Sequence, residues 1–224
     1  MTNNVVITGA NRGIGLAMAQ LFSAQGDKVY ALCRQSSNDL DALTSSGVEV
    51  IENIDVATDI GIKMMLRALA GVAVDVLVCN AGILRDENLL SFNLDTMREQ
   101  FEVNTLGPLK VVHALQMQLN DGGKIAMITS RMGSIADNGS GGRFGYRMSK
   151  AALNIASVSL SKDLAHREIA VGIYHPGYVQ TDMVGGRGDI PAEEAAGRIV
   201  GLINALDMSE TGVFKHSNGE VLPW

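Results

Sequence analysis

The sequence predicts a single-domain α/β fold with a doubly wound parallel sheet, and three observations carry that expectation. Short apolar runs alternate with helical patterns along the whole chain. The runs are rich in Val, Ile and Leu without strict alternation, as in strands covered on both faces. A glycine-patterned turn, Thr8-Gly9-Ala10-Asn11-Arg12-Gly13-Ile14-Gly15, closes the first run and opens the first helix. Regular alternation with crossover-sized helices means parallel βαβ units.

In chain order the strand-like runs are 4–8, 28–33, 48–54, 74–79, 124–129, 170–175 and 212–216, seven in all. The helical patterns between them cover 13–25, 39–46, 59–70, 94–119, 145–167 and 191–206. Right-handed crossovers favour strand order 3-2-1-4-5-6-7, with a ligand crevice at the switch point beside strand 1. Neither an internal repeat nor a linker divides the 224 residues, so one domain is expected. The stretches 133–142 and 183–190 are glycine-rich and poor in large apolar residues, which predicts mobile loops. Both follow strands at the carboxyl edge of the sheet, where ligands sit in open α/β folds.

Composition narrows the function. Hydrophobic content of 46% and charged content of 19% belong to a globular protein. A net charge of −6 without a Lys/Arg cluster argues against nucleic acid. The N-terminal Met1-Thr2-Asn3-Asn4 has no basic region, and no apolar run approaches the ~18 residues of a spanning helix, so a cytoplasmic protein without a membrane anchor is expected. Cys33 and Cys79 end strands separated by a third, roughly 9–10 Å apart, beyond disulfide reach; two reduced thiols are expected. His113, His166, His175 and His216 show no ligand spacing, so no metal is predicted.

The first turn spaces its glycines G-x-x-x-G-x-G. Gly9, Asn11, Arg12, Gly13, Ile14 and Gly15 are therefore candidates to seat a dinucleotide pyrophosphate at a helix N-terminus. Asn80-Ala81-Gly82 ends strand 4, the neighbour of strand 1, so the two loops should flank one cleft. At the end of strand 2, where an NAD site usually places a carboxylate for the ribose 2′-hydroxyl, stand Cys33 and Arg34. A guanidinium pairs with a 2′-phosphate in bidentate fashion, and Arg12 can approach the same group. NADP(H) is expected over NAD(H). Asp55 and Val56, after strand 3, are candidates to face adenine, although Asp at such an edge is also a common turn former.

Tyr146 and Lys150 lie four residues apart, on one face of a helix. A phenol with a reference pKa near ~10 needs help to move a proton at neutral pH. A cation about 4 Å away at an effective dielectric of ~20 supplies on the order of 4 kcal/mol, before desolvation opposes it. Lys150 is thus expected to acidify Tyr146 and to bond the nicotinamide ribose. Ser130, one residue past strand 5, is the candidate to polarise a substrate oxygen, with Ser134 competing. Asn104 sits within a long helix, where an amide is a poor helix former and can break the ladder and hold a water leading to Lys150. Pro176-Gly177 closes strand 6, and Val179 and Thr181 are candidates to enclose the nicotinamide carboxamide.

Together these landmarks resemble the short-chain dehydrogenase/reductase superfamily over nearly the whole chain. The resemblance implies a Rossmann fold, a tetrad of Asn104, Ser130, Tyr146 and Lys150, and homodimers or homotetramers built on the helices that carry Asn104 and Tyr146. More narrowly, Ser130-Arg131-Met132-Gly133-Ser134-Ile135, Tyr146-Arg147-Met148-Ser149-Lys150-Ala151-Ala152 and Leu222-Pro223-Trp224 look like the branch of C-factor signalling proteins and sniffer-type carbonyl reductases. An NADPH-dependent reductase of small carbonyl compounds, or the matching alcohol dehydrogenase, is the expected activity. The other expectation is a nucleotide-binding signalling or redox-sensing protein with little turnover.

Overall fold

The alternating Val, Ile and Leu runs become the layers of one sheet in the computed structural model, which describes residues 2–224. The strands are β1 (Asn4–Thr8), β2 (Lys28–Leu32), β3 (Glu49–Ile51), β4 (Val74–Cys79), β5 (Leu119–Ile128), β6 (Ala170–His175), β7 (Val179–Gln180), β8 (Ile190–Pro191) and β9 (Phe214–His216). Seven of them form a parallel sheet in the order β3-β2-β1-β4-β5-β6-β9, and β7 pairs with β8 apart from it. The predicted topology therefore holds, with the seventh strand of the sheet being β9.

Side chains of successive strand residues leave opposite faces. Val5, Ile7, Val76, Val78 and Ile128 pack with Met18 and Phe22 of α1 (Gly13–Ala24) and Ile199 and Ile203 of α7 (Ala192–Ala205). On the other face, Val6, Leu77, Ile125 and Met127 meet Met65 of α3 (Asp59–Ala68), Val111 and Leu115 of α5 (Gly107–Leu115) and Leu153 of α6 (Phe144–Asp163). Each fully buried aliphatic side chain contributes about 1.5–3 kcal/mol, so the doubly covered sheet fixes the loops at its carboxyl edge. No helix among the described residues is long and apolar enough to cross a membrane.

Several boundaries move for identifiable reasons. The helix expected over 39–46 is α2 (Asn38–Ala42) continued by a 3₁₀ turn. β3 stops at Ile51 because Asn53, at φ 62°, turns the chain out of the extended conformation. β5 starts early, Leu119 pairing with Val74 before a register shift and the bulged 120–123 segment.

The helix expected over 94–119 is α4 (Leu94–Phe101), a π-helical turn over Glu102–Leu106, and α5, which ends at Leu115. Pro108 has no N–H to give the carbonyl four residues back, so the ladder widens there. The 183–190 stretch, expected to be a mobile loop, is instead folded back. Val179 pairs with Ile190, and the Asp189 N–H donates to the Tyr178 carbonyl at 2.7 Å.

Candidate active site

Thr8 and Asn80 clamp together the two loops that flank β1 and β4. The Thr8 hydroxyl accepts from the backbone N–H of Asn80 (3.0 Å) and of Ala81 (3.1 Å). In return the Asn80 amide donates to the carbonyls of Thr8 (3.1 Å) and Gly9 (3.0 Å). The approach is close enough to require glycine. Gly9 has φ 67°, and a Cβ there would lie 2.9 Å from Ala81 Cα.

Helix α1 starts in this clamp with its positive end uncovered, since Arg12 at the N-cap makes no side-chain cap bond and the first turn holds no acid. That end is suited to an anion such as a pyrophosphate. From the far side, Thr181 leans on Gly13, its Cγ2 lying 3.3 Å from where a Cβ would sit, and Ile14 packs with Val179, Ala192 and Ala195. The Arg12 guanidinium pairs with Asp182 at 3.3 Å, on the surface. Asn11 presents its carbonyl to the Ser37 hydroxyl at 2.7 Å. Pro176 gives its carbonyl to the Ser217 hydroxyl, and Gly177 turns at φ 100°.

At the end of β2, Cys33 is buried and Arg34 exposed. Two carboxylates absent from this point of the sequence arrive from elsewhere. Glu52 accepts from the Ser36 N–H at 2.6 Å and Asp41 from its hydroxyl at 2.5 Å. Burial first, then these two carboxylates, push the Cys33 thiol up to about 11, while burial alone takes Cys79 to about 12. Both are free thiols. The Asp55 carboxylate caps its own turn, accepting from the Ala57 N–H at 3.0 Å, and Val56 is buried in the core against the Gly107 backbone.

The first turns of α6 bring the reacting candidates together. Tyr146 is only 8% exposed, and its phenol lies close enough to Ser130 for that side chain to lower its pKa. Ser130 also caps a short 3₁₀ turn by accepting from the Met132 N–H at 3.1 Å. Ser134 is turned elsewhere, accepting from the Asp137 N–H at 3.1 Å, so geometry favours Ser130 over its competitor. Lys150, 4% exposed, donates from Nζ to the Ile128 carbonyl at 2.9 Å and stands 5.9 Å from the centre of the Tyr146 ring.

The expected acidification of Tyr146 by Lys150 is not what the chain shows. Burial raises the phenol above its ordinary value, and the groups that pull it back are Ser130 and Arg143. Lys150 is itself lowered to about 8 by burial. Burial is the largest cause at both groups, and Lys150 is not among those that lower Tyr146.

This has a measurable consequence. A lysine at about 8 in the folded chain and 10.5 when unfolded binds fewer protons folded than unfolded between those values. Stability therefore rises with pH across that window. Relative to Lys150→Met, the wild type should gain on the order of 3 kcal/mol between pH 8 and 10.5, read by denaturant unfolding. A flat difference would mean an unshifted lysine.

Asn104 is fully buried in the π turn, and its amide is committed. It accepts from the Ile83 N–H at 2.8 Å and donates to the Ile83 carbonyl at 2.8 Å and to Ser149 Oγ at 3.1 Å. The side chain thus splints the loop after Gly82 to α6. A Cβ on Gly82 would lie 3.3 Å from Asn104 Oδ1 and 3.7 Å from Lys150 Nζ, so the loop passes directly over the lysine.

Sequence reasoning missed the clamping role of Thr8, the Ser149 relay and a buried carboxylate, Glu87. Thr8 lay inside the quoted turn. Nothing in the pattern around Glu87 marks it. Among the described residues no group of three His, Cys, Asp or Glu side chains is placed to hold a metal.

An uncapped helix N-terminus beside a glycine clamp suits a dinucleotide, and the first turns of α6 bring Tyr146 and Lys150 close to Ser130 and the Gly82 loop. The family model described as short chain dehydrogenase matches residues 3–190. The chain is 34% identical over 228 residues to 1-hydroxy-2-glutathionyl-2-methyl-3-butene dehydrogenase of Rhodococcus sp., covering 99% of this chain and 100% of that one. It is 40% identical over 154 residues to C-signal of Myxococcus xanthus, covering 67% and 93%. An NADPH-bound carbonyl reductase from chicken fatty liver superposes with a TM-score of 0.90 at 29% identity, covering 100% of this chain and 99% of that one. Fold, crevice and a match spanning most of the sequence lead to one assignment: this chain belongs to the short-chain dehydrogenase/reductase family and is an oxidoreductase of that kind.

Proposed function

We propose that this protein is an NADPH-dependent carbonyl reductase in which Tyr146 is the proton donor. The observation that carries the reading is the buried Tyr146 phenol, close enough to Ser130 for that side chain to lower its pKa, with Lys150 Nζ 5.9 Å from its ring centre and the Gly82 loop over the lysine. The glycine turn from Gly9 to Gly15 would hold NADPH, whose chemistry when bound would be hydride donation to a carbonyl carbon. Ser130 holds the carbonyl oxygen within reach of the phenol. Tyr146, kept protonated by burial, gives its proton to that oxygen as negative charge develops there. Lys150 places a cation next to the phenolate left behind. Asn104, through Ile83, fixes the loop that roofs the lysine. Run backwards, the same groups oxidise an alcohol, the direction named for the Rhodococcus relative.

The coenzyme preference rests on exposed Arg34 and on the neutral Cys33 in the usual carboxylate position. Gly9, Asn11, Arg12, Gly13, Ile14 and Gly15 would hold the pyrophosphate. Asn80, Ala81, Gly82, Pro176, Gly177, Val179 and Thr181 would line the nicotinamide half. Asp55 and Val56 would sit at the adenine end. Arg12 reaches the 2′-phosphate only by giving up Asp182, so Arg34 carries most of the discrimination.

Arg34→Asp should cut the NADPH-to-NADH affinity ratio by roughly 10–100-fold, the worth of a charge-assisted bidentate pair. A native preference for NADH would refute this part. Exposed Leu94, Phe101, Met148 and Ile155 on α4 and α6 support a homodimer or homotetramer through those helices, which sedimentation decides. The 40% identity to C-signal keeps a signalling role as the second reading, to be preferred if NADPH binds tightly and no carbonyl compound is turned over.

A further inference from the structure

Among the described residues, Glu87 is the one buried carboxylate that the mechanism above does not use. It is 3% exposed, in the segment that continues from Gly82 and Ile83. Its Oε1 accepts from Thr96 Oγ1 at 2.8 Å and from Gln100 Nε2 at 2.5 Å, both on α4. Its Oε2 accepts from the Gly145 N–H at 3.3 Å, and its carbonyl accepts from the Arg143 N–H at 2.6 Å.

Those last two bonds fall on the start of α6, the residues immediately before Tyr146. The helix needs them. Its N-cap residue Arg143 is left-handed at φ 50° and makes no side-chain cap bond, so the donors of the first turn depend on an outside acceptor. Glu87 supplies that acceptor and puts a negative charge at the positive end of the helix.

The fit is close. A Cβ on Gly145 would lie 2.5 Å from Gln100 Nε2, 2.8 Å from Met97 Cα and 3.1 Å from Glu87 Oε1. Gln100, wholly buried, returns to the same segment by accepting from the Arg85 N–H at 2.9 Å. One carboxylate thus ties the loop after the nicotinamide wall, helix α4 and the first turn of α6.

We propose that Glu87 is a positioning residue for Tyr146: by capping α6 across the crevice it sets the height of the phenol against Ser130 and the Gly82 loop. This rests on the reading of Tyr146 as proton donor. Both Glu87 carboxylate oxygens are committed to α4 and α6, so its removal acts on the chemical step through Tyr146 and leaves ground-state binding alone. Misplacement of a reacting group by about 1 Å can cost on the order of 10²-fold.

The test compares wild type, Glu87→Gln, Glu87→Ala, Tyr146→Phe and the double variant Glu87→Gln/Tyr146→Phe. Steady-state reduction of a quinone by NADPH, NADPH affinity by fluorescence and thermal melting are measured for each. Glu87→Gln keeps an acceptor for part of the network and should lose about tenfold in kcat, and Glu87→Ala about 100-fold. KM and NADPH affinity should stay within about twofold in both. In the Tyr146→Phe background, Glu87→Gln should cost less than about twofold, because a residue acting through the phenol has nothing left to position.

Losses that add in the double variant, or that follow KM or coenzyme affinity, would overturn the proposal. So would a folded Glu87→Gln at wild-type kcat, which decides the matter even if Glu87→Ala does not fold. Equal rates for wild type and Tyr146→Phe would remove the proton-donor reading itself. An impaired Tyr146→Phe with an unaffected Glu87 series removes only the role of Glu87.

Discussion

Tyr146→Phe should lower kcat for carbonyl reduction by about 10²–10⁴-fold, the usual contribution of a positioned general acid, while NADPH affinity stays near that of the wild type. The phenylalanine ring keeps the packing of a side chain that is 8% exposed, and only the hydroxyl near Ser130 is lost. Stability should therefore change by no more than about 1 kcal/mol, the net worth of one hydrogen bond.

The sign of the pH dependence follows from the raised phenol and the lowered lysine. Reduction needs Tyr146 protonated and Lys150 charged, so wild-type kcat should hold through neutral pH and decline as Lys150 loses its proton near pH 8. Oxidation, which needs the phenolate, should climb only above the ordinary tyrosine range. Stopped-flow single turnovers with NADPH and a panel of quinones, aldehydes and diketones would measure both limbs. Wild-type and Tyr146→Phe proteins reducing these compounds at the same rate would leave the phenol without a chemical role.

Gly15→Ala should be strongly damaging for so small a change. Its Cβ would fall within van der Waals contact of the Gly9 carbonyl oxygen and 2.5 Å from Asn80 Nδ2, the amide that clamps the two crevice loops. Neither partner is the free end of a flexible side chain. The turn must open, and the Asn80 bonds to Thr8 and Gly9 weaken with it. Forcing extra volume into so tight a site costs about 3 kcal/mol, or roughly 6–12 °C in melting temperature for a chain of this size. Coenzyme affinity should fall as well, because the same turn exposes the start of α1. A variant that melts with the wild type and binds NADPH normally would show that the turn tolerates the methyl and that the clamp is looser than drawn.

How much of this was legible beforehand follows from what each feature depends on. β1, β4 and β6 stand where the Val and Ile runs ended, since a strand covered on both faces has its composition dictated locally. Tyr146 and Lys150 were legible because helical spacing alone puts them on one face. The π turn at Asn104 was half visible. An amide in a helix signalled a break, but its bonds to Ile83 and Ser149 depend on segments that meet only in three dimensions.

The balance of burial against charge at Tyr146 was out of reach for the same reason. A phenol four residues from a lysine reads as acidified until the depth of both is known. Asp41 and Glu52 converge on Ser36 from separate elements, so the carboxylates near Arg34 escaped a search confined to the end of β2. Glu87 is the extreme case, a cap for a helix that begins 57 residues later.

The ion pair from Arg12 to Asp182 and the seat of Thr181 on Gly13 join parts of the chain 170 residues apart. A polypeptide still emerging from the ribosome owns the glycine turn early, yet has only one wall of its binding cleft until the stretch beyond β6 has been translated. On the proposed reading, coenzyme would thus reward only the finished molecule, as a lock on a completed architecture and not a template on which the first half could mature alone.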